Sequence, residues 1–311
     1  MVIKLAARSH NQTIAGLIVT YNPEIHRFTR VLYSALSQCH KVVIVDNHSF
    51  NYLEILRCVD LTGKRHNVTV IRNTKNLGLA AALNVGKTHI LKEFSPDYVL
   101  FLDQDTVPSF RYVFTLLDEL AVAGNFMKIG VINAQGRECK LNNFLSKLVS
   151  LVFLDRLTIR KNLSSHLVEP TFVIISGSII RADLLATISF REDFFLDWVD
   201  YDFCIRARKA IYSIVLLKKV LLSHSLGTTK HFGRLQVLYE PSFRYYLIVR
   251  NARILFEEGK ISFLRLLYSA IRWFFPLSLG EGLMAALITF MHGFSLKQFP
   301  GSSPRVAKDY P

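Results

Sequence analysis

Short apolar runs rich in β-branched residues alternate with amphipathic stretches through the first hundred residues. Residues 14–20, 42–46, 68–71 and 98–102 are each bounded by Asn, Asp, Pro or Gly, the signature of buried parallel strands. Between them, residues 24–39, 51–59 and 79–92 repeat apolar positions at i, i+3 and i+4, which predicts helices and a β-α-β-α-β-α-β order. Such a unit is a nucleotide-binding half by architecture, and its ligand crevice opens at the carboxyl ends of the strands. Thr20-Tyr21-Asn22, Asp46-Asn47, Arg72-Asn73 and Asp103-Gln104-Asp105 stand at those ends.

The pattern breaks over residues 136–168, where charges scatter without periodicity, and this reads as a surface excursion suited to setting substrate specificity. A second apolar run at 172–180 predicts a return to the sheet, followed by a helix at 199–210 and a strand at 214–222. Residues 244–258, 261–275 and 281–294 mix Leu, Phe, Trp and Tyr with Arg and Lys, as helices lying in a membrane interface do. The expected division is a catalytic α/β domain over 1–235 and a helical, basic region over 236–311.

The chain has 311 residues, half of them hydrophobic, and a formal charge of +14. Mean hydropathy is +0.27, yet the apolar residues are spread along the chain. The best candidate span, 274–294, contains Pro276, Glu281, His292 and three glycines, so no membrane-crossing helix is expected. The N-terminus lacks the apolar core of a secretory signal, which points to the cytosol. Four cysteines stand far apart without a C-x-x-C pair, which gives neither a zinc cluster nor a disulfide framework. Between residues 205 and 275, thirteen Lys/Arg face three Glu, so something anionic is expected to meet that half: a phospholipid surface, a diphosphate-bearing lipid or nucleic acid.

The acidic pair carries the chemistry. Asp103 and Asp105 project from the end of a buried strand, and hard oxygen ligands in such a place suit Mg²⁺ or Mn²⁺ bridging a nucleotide diphosphate.

Val19-Thr-Tyr-Asn22, Val45-Asp-Asn47, Asn76-Leu-Gly78, Asn84-Val-Gly86, Leu102-Asp-Gln-Asp105, Ser176-Gly-Ser178, the segment from Phe195 to Arg206 and His224-Ser-Leu-Gly227 occur in an order that resembles the inverting glycosyltransferases of family 2. Within that family the bacterial rhamnosyltransferases are most similar. The resemblance implies the A-type glycosyltransferase fold, a mostly parallel sheet flanked by helices with a helical C-terminal extension. It also implies that Tyr21, Asn22, Asp46, Asn76, Gly78, Asp103 and Trp198 line the nucleotide-sugar pocket. Asp105 is then the direct metal ligand, Asp103 faces the ribose or the metal, and His224 completes the metal site or touches the diphosphate.

Removing a proton from an acceptor hydroxyl needs a carboxylate in a partly dry pocket, and the resemblance assigns that role to Asp200. Val199 stands where the wider family has a glutamate. Asp197 and Asp202 are rivals, although Asp202 and Arg206 are spaced i, i+4 and could simply pair. Ser269 stands where processive synthases of the family have glutamine, which favours addition of one sugar, with Arg272-Trp273 as an interfacial anchor.

The implied activity is transfer of L-rhamnose from dTDP-L-rhamnose to a hydroxyl of a lipid-diphosphate-linked saccharide, at an anionic membrane surface on the cytoplasmic side. A UDP-hexose donor is the alternative. A sugar-phosphate nucleotidyltransferase would need a glycine-rich loop with Arg and Lys after the first strand, where Thr20-Tyr-Asn-Pro-Glu stands instead. A nucleic-acid binder would leave the ordered acids unexplained, and no nucleic acid is expected.

Overall fold

In the computed structural model, residues 12–123, 128–137, 159–223, 229–232, 235–238 and 241–296 are described. The first half follows the predicted alternation: β1 (Ile14–Thr20), α1 (Ile25–Leu36), β2 (Lys41–Asp46), α2 (Tyr52–Leu61), β3 (Val68–Arg72), α3 (Leu79–Glu93) and β4 (Tyr98–Asp103). Then come β5 (Val107–Pro108), α4 (Tyr112–Ala123), β6 (Ile129–Arg137), β7 (Ile159–Asn162), β8 (Leu167–Pro170), β9 (Ile179–Arg181) and α5 (Ala182–Thr187). The chain continues through α6 (Val199–Lys209), β10 (Ser213–Ser223), β11 (Thr229–Phe232) and β12 (Leu235–Leu238) to α7 (Ser242–Glu257), α8 (Phe263–Glu281) and α9 (Leu283–Phe294).

The main sheet runs in the order β3-β2-β1-β4-β9-β6-β10-β8-β7, with β5 on the end of β10. Strands β3, β2, β1 and β4 are parallel, and β9 inserts antiparallel between β4 and β6. Register places Val19 beside Asp103, Thr20 beside Asp46 and Asp46 beside Arg72, so the carboxyl ends of the four parallel strands finish at one mouth.

Two cores sandwich this sheet, because successive strand side chains point to opposite faces. Val99 and Phe101 of β4 join Ala80, Leu83, Phe203 and Leu255 on the α3/α6/α7 side. Leu100 and Leu102 join Phe28, Leu32, Ile55 and Leu116 on the α1/α2/α4 side. By that parity Asp103 leaves the strand toward α3 and α6, the layer that carries Asp200.

Three differences from the sequence reading have physical causes. The apolar run at 172–180 is strand only from Ile179, because Gly177 adopts φ +82° and turns the chain. Residues 159–170, expected to be irregular, pair as the hairpin β7–β8; β8 bonds to β10, and the charged Arg160 and Lys161 suit an edge strand. Residues 138–158 of that excursion lie outside the described residues. Helix α7, grouped by composition with interfacial helices, is mostly interior, with Tyr245, Tyr246, Leu247, Ile248, Val249, Ala252 and Leu255 buried. Its apolar residues encircle it because Ala252 and Leu255 join the main core on one side and α8 and α9 pack on the other, over a small core of Tyr245, Val249, Ala270, Leu277 and Ala286.

Candidate active site at the carboxyl mouth of the sheet

Asp103 ends β4 and lines a pocket together with Leu79, Phe101, Ile175, Ser176 and Asp200. Its backbone N–H donates to Ser176 Oγ (2.9 Å), and Ser176 donates in turn to Thr106 Oγ1 (2.9 Å), so both sides of the acidic turn are tied to the 174–178 segment. That segment is set from below by buried Asn133, whose Nδ2 donates to Ile174 O, Ser176 O and Ser178 Oγ. Tyr112 donates its hydroxyl to Asn133 Oδ1 and to Gly177 O, which completes a buried polar frame under the pocket.

Between the two carboxylates, Gln104 reaches across to β1. Its Oε1 accepts from Tyr21 N–H (2.8 Å) and its Nε2 donates to Tyr21 O (3.2 Å), a two-point clamp on the main chain of the first strand's end. The sequence reading gave Gln104 no role; a lone Gln carries no spacing signal, and only the strand order shows that β1 and β4 are neighbours. Gln104→Ala removes both bonds, so a drop in kcat/KM of about tenfold is expected, with KM for the donor absorbing most of it. Steady-state kinetics beside a thermal melt checks this.

The partly buried Asp105 follows in the turn before β5, which pairs with the end of β10 through Val107 and Ser223. The next residue, His224, lies outside the described residues. Among the described residues no cluster of three or more His, Cys, Asp or Glu forms a closed metal cage. Mg²⁺ and Mn²⁺ take only one or two carboxylates from a protein when substrate phosphates supply other ligands. Asp103 and Asp105 therefore fit such an ion.

The residues expected on the nucleotide side form two further clusters. Asp46 is fully buried; its Oδ1 accepts from Thr20 Oγ1 (3.1 Å), its Oδ2 from Ser49 N–H (3.0 Å), and Arg72 Nε stands 3.7 Å from Oδ2. Asn22, at φ 48°, donates its N–H to Ser49 Oγ and accepts from Phe50 N–H. Beside them, Asn47 is a hub. Its Oδ1 accepts from Asn73 Nδ2 (2.8 Å) and Leu77 N–H (3.2 Å), while its Nδ2 donates to Gly78 O (3.1 Å).

Asn76 accepts from Gly78 N–H, closing the turn that opens α3. Gly78 sits at φ +85°, and an added Cβ would come within 2.6 Å of the Phe195 carbonyl oxygen, which accepts from Leu79 N–H. Gly78→Ala is therefore expected to destabilise the fold by about 2–4 kcal/mol, visible as a lower urea midpoint. The Asn84-Val-Gly86 motif has a packing role: Asn84 exchanges two hydrogen bonds with the Phe190 backbone, and Gly86 allows contact with Leu17 and Val45.

Asp200 lies in the first turn of α6, partly buried. Burial, reinforced by the Asp103 charge across the pocket, pushes its carboxyl up to about 7; Asp197 adds to this and a hydrogen bond from the Ile175 backbone opposes it. Its two rivals are engaged elsewhere. Asp202 is fully buried between Arg206 (2.7 Å), Lys260 (2.8 Å) and Arg191 (3.8 Å), so the i, i+4 pair is real. Asp197 is gripped by Arg244 (3.1 Å).

Asp197 and Trp198 both adopt left-handed backbone, φ 60° and 62°, a costly pair for non-glycine residues. Helix α7 holds it: Asn251 Nδ2 donates to Leu196 O and Asp197 O, and the Trp198 indole N–H donates to Ile248 O (3.0 Å). The polar edge of Trp198 thus serves α7, while its ring meets Tyr201 edge-on.

Asp103 and Asp200 therefore share a pocket, Gln104 joins the acidic turn to Tyr21, and Asn47, Asn76 and Gly78 form a neighbouring hydrogen-bonded cluster.

Comparisons with known proteins agree with this architecture. A curated relative, the dTDP-rhamnosyl transferase RfbF of Shigella flexneri, is 25% identical over 274 residues, 82% of this chain and 83% of its own. The structure of S. aureus TarS 1-349 in complex with UDP-GlcNAc superposes with a TM-score of 0.53 at 17% identity, covering 91% of this chain and 81% of that one. Another S. aureus TarS 1-349 structure gives 0.51 at 18% identity, with the same shares. The fold is the A-type glycosyltransferase fold. Residues 17–184 match the family model for Glycosyl transferase family 2, more than half of the chain, and the protein belongs to that family.

Proposed function

We propose that the protein transfers L-rhamnose from dTDP-β-L-rhamnose, with inversion, to a hydroxyl of a lipid-diphosphate-linked saccharide. The observation that carries this reading is the meeting of Asp103 and Asp200 in one pocket at the carboxyl mouth of the sheet. The dTDP-rhamnosyl transferase named among the relatives supports the donor. TarS, solved with UDP-GlcNAc, keeps a UDP-hexose as the second reading.

In this mechanism Asp200 takes the proton from the acceptor hydroxyl as its oxygen bonds to the anomeric carbon and the bond to the diphosphate oxygen breaks. A carboxylate poised near 7 is matched to that task at neutral pH. Asp105 and Asp103, with His224, would hold Mg²⁺ or Mn²⁺, which supplies positive charge for the departing diphosphate. Tyr21, Asn22, Asp46, Asn76 and Gly78 shape the nucleoside side, and Gln104 keeps the first strand's end in register with the acidic turn. Trp198 contributes by fixing the backbone that leads into Asp200. In this reading the catalytic domain, 1–235, carries donor and base, and α7 of the C-terminal region braces the backbone before Asp200.

Incubation with a panel of nucleotide sugars and Mn²⁺ tests the donor. Slow release of dTDP from dTDP-rhamnose alone is expected; preferential release of UDP from a UDP-hexose would replace rhamnose in this reading.

A further inference from the structure

No described helix is long and apolar enough to cross a membrane. Yet α8 and α9 carry an outer face that water should not tolerate. From Phe263 to Leu279 every exposed position of α8 is apolar, and so is every exposed position of α9. Leu264, Ile271 and Phe275 are 58–75% exposed, and Leu283, Leu287 and Met291 are 39–64% exposed. The spacing is helical, 264-271-275 on α8 and 283-287-291 on α9, so each helix shows one continuous stripe. Both pack on α7 and on each other; Gly293 lets α9 approach Val249 and the Tyr246 carbonyl at about the contact limit. The two striped helices are therefore neighbours, and clustered exposed apolar residues of this kind mark an interaction surface.

We propose that this α8–α9 face docks on an anionic phospholipid bilayer, lying in its interface without crossing it. Charge selects the occupant. The chain carries +14, which draws it to an anionic surface and sets two copies against each other. Composition agrees, since the face is led by leucine, which is under-represented among protein–protein hot spots. The position serves the active site. Helix α7, sandwiched beneath the face, holds the Leu196–Trp198 backbone just before Asp200 through Asn251 and Ile248. Docking would thus hold the helix that braces the backbone before the base at the surface that carries the acceptor; this deepens the acceptor reading above and rests on it for the purpose of the contact.

Flotation of the full chain with phosphatidylcholine vesicles, with and without phosphatidylglycerol, tests it. Binding is expected on the anionic vesicles and should weaken with salt. Ile271→Glu with Phe275→Glu, and separately Leu287→Glu with Met291→Glu, should each lower the bound-to-free ratio at least about tenfold. Hydrolysis of the donor in solution should stay unchanged in both variants, so failure of the donor reading and failure of docking are separable. No flotation of the native chain, or flotation unaffected by both double substitutions, overturns the proposal. A native dimer that both double substitutions convert to monomer assigns the face to a second copy and also overturns it.

Discussion

Asp200→Asn is expected to leave donor binding intact and to reduce transfer about a thousandfold, the scale of losing a general base. Asparagine keeps the size and the polar edge but cannot take a proton. The pH behaviour follows from the raised carboxyl. Below about 7 the metal-free folded protein holds a proton on Asp200; a cation beside Asp103 draws that value down, so kcat/KM should climb with pH up to at most about 7 and then level off.

The stability consequence has the opposite sign from that of an ordinary paired aspartate. Because the folded value lies above the unfolded one, the native state binds the extra proton between about 4 and about 7, and stability falls as pH rises through that window. Asp200→Asn removes this cost and is expected to stabilise the metal-free protein at pH 8 by roughly 1–4 kcal/mol, with little effect at pH 4. Chemical denaturation at the two pH values, beside transfer kinetics, checks both halves. A variant that transfers normally would remove Asp200 from the mechanism. A variant destabilised at pH 8 would mean that its carboxylate is a structural partner.

The second large effect is expected at Asp105. Asp105→Asn should cost about a hundredfold or more in kcat/KM and should flatten the dependence on Mn²⁺ concentration, since a neutral amide is a poor substitute for a carboxylate ligand. The residue is partly exposed in a turn, so the thermal midpoint should move by only a few degrees. Titration of Mn²⁺ in the presence of dTDP, for the native and variant chains, reads the effect directly. Unchanged metal dependence would transfer the role to other groups.

Much of the donor half was legible in the chain because buried parallel strands write themselves as continuous apolar runs. Residues 14–20, 42–46, 68–71 and 98–102 all became strands of one sheet, within a residue or two of their predicted limits. The acidic turn was legible for the same reason, since it ends such a run. Strand order was not. Nothing local says that Gln104 lies beside Tyr21, or that Asn133 underlies Ser176 and Ser178; these contacts span 43 to 83 residues of sequence. The choice among Asp197, Asp200 and Asp202 also needed three dimensions. The i, i+4 spacing suggested that Asp202 pairs with Arg206, but Lys260 and Arg244 arrive from distant segments to engage Asp202 and Asp197. Composition alone grouped α7 with α8 and α9, because an encircled helix and an interfacial one use the same residues; their neighbours decide the difference.

The most direct test is a structure of the Asp200→Asn chain with dTDP-rhamnose and Mn²⁺. Density for the ion is expected at Asp105, with the sugar reaching the pocket formed by Leu79, Ser176 and residue 200. Nucleotide bound instead in the second surface hollow, between Arg191, Arg206 and Lys260, would contradict that placement.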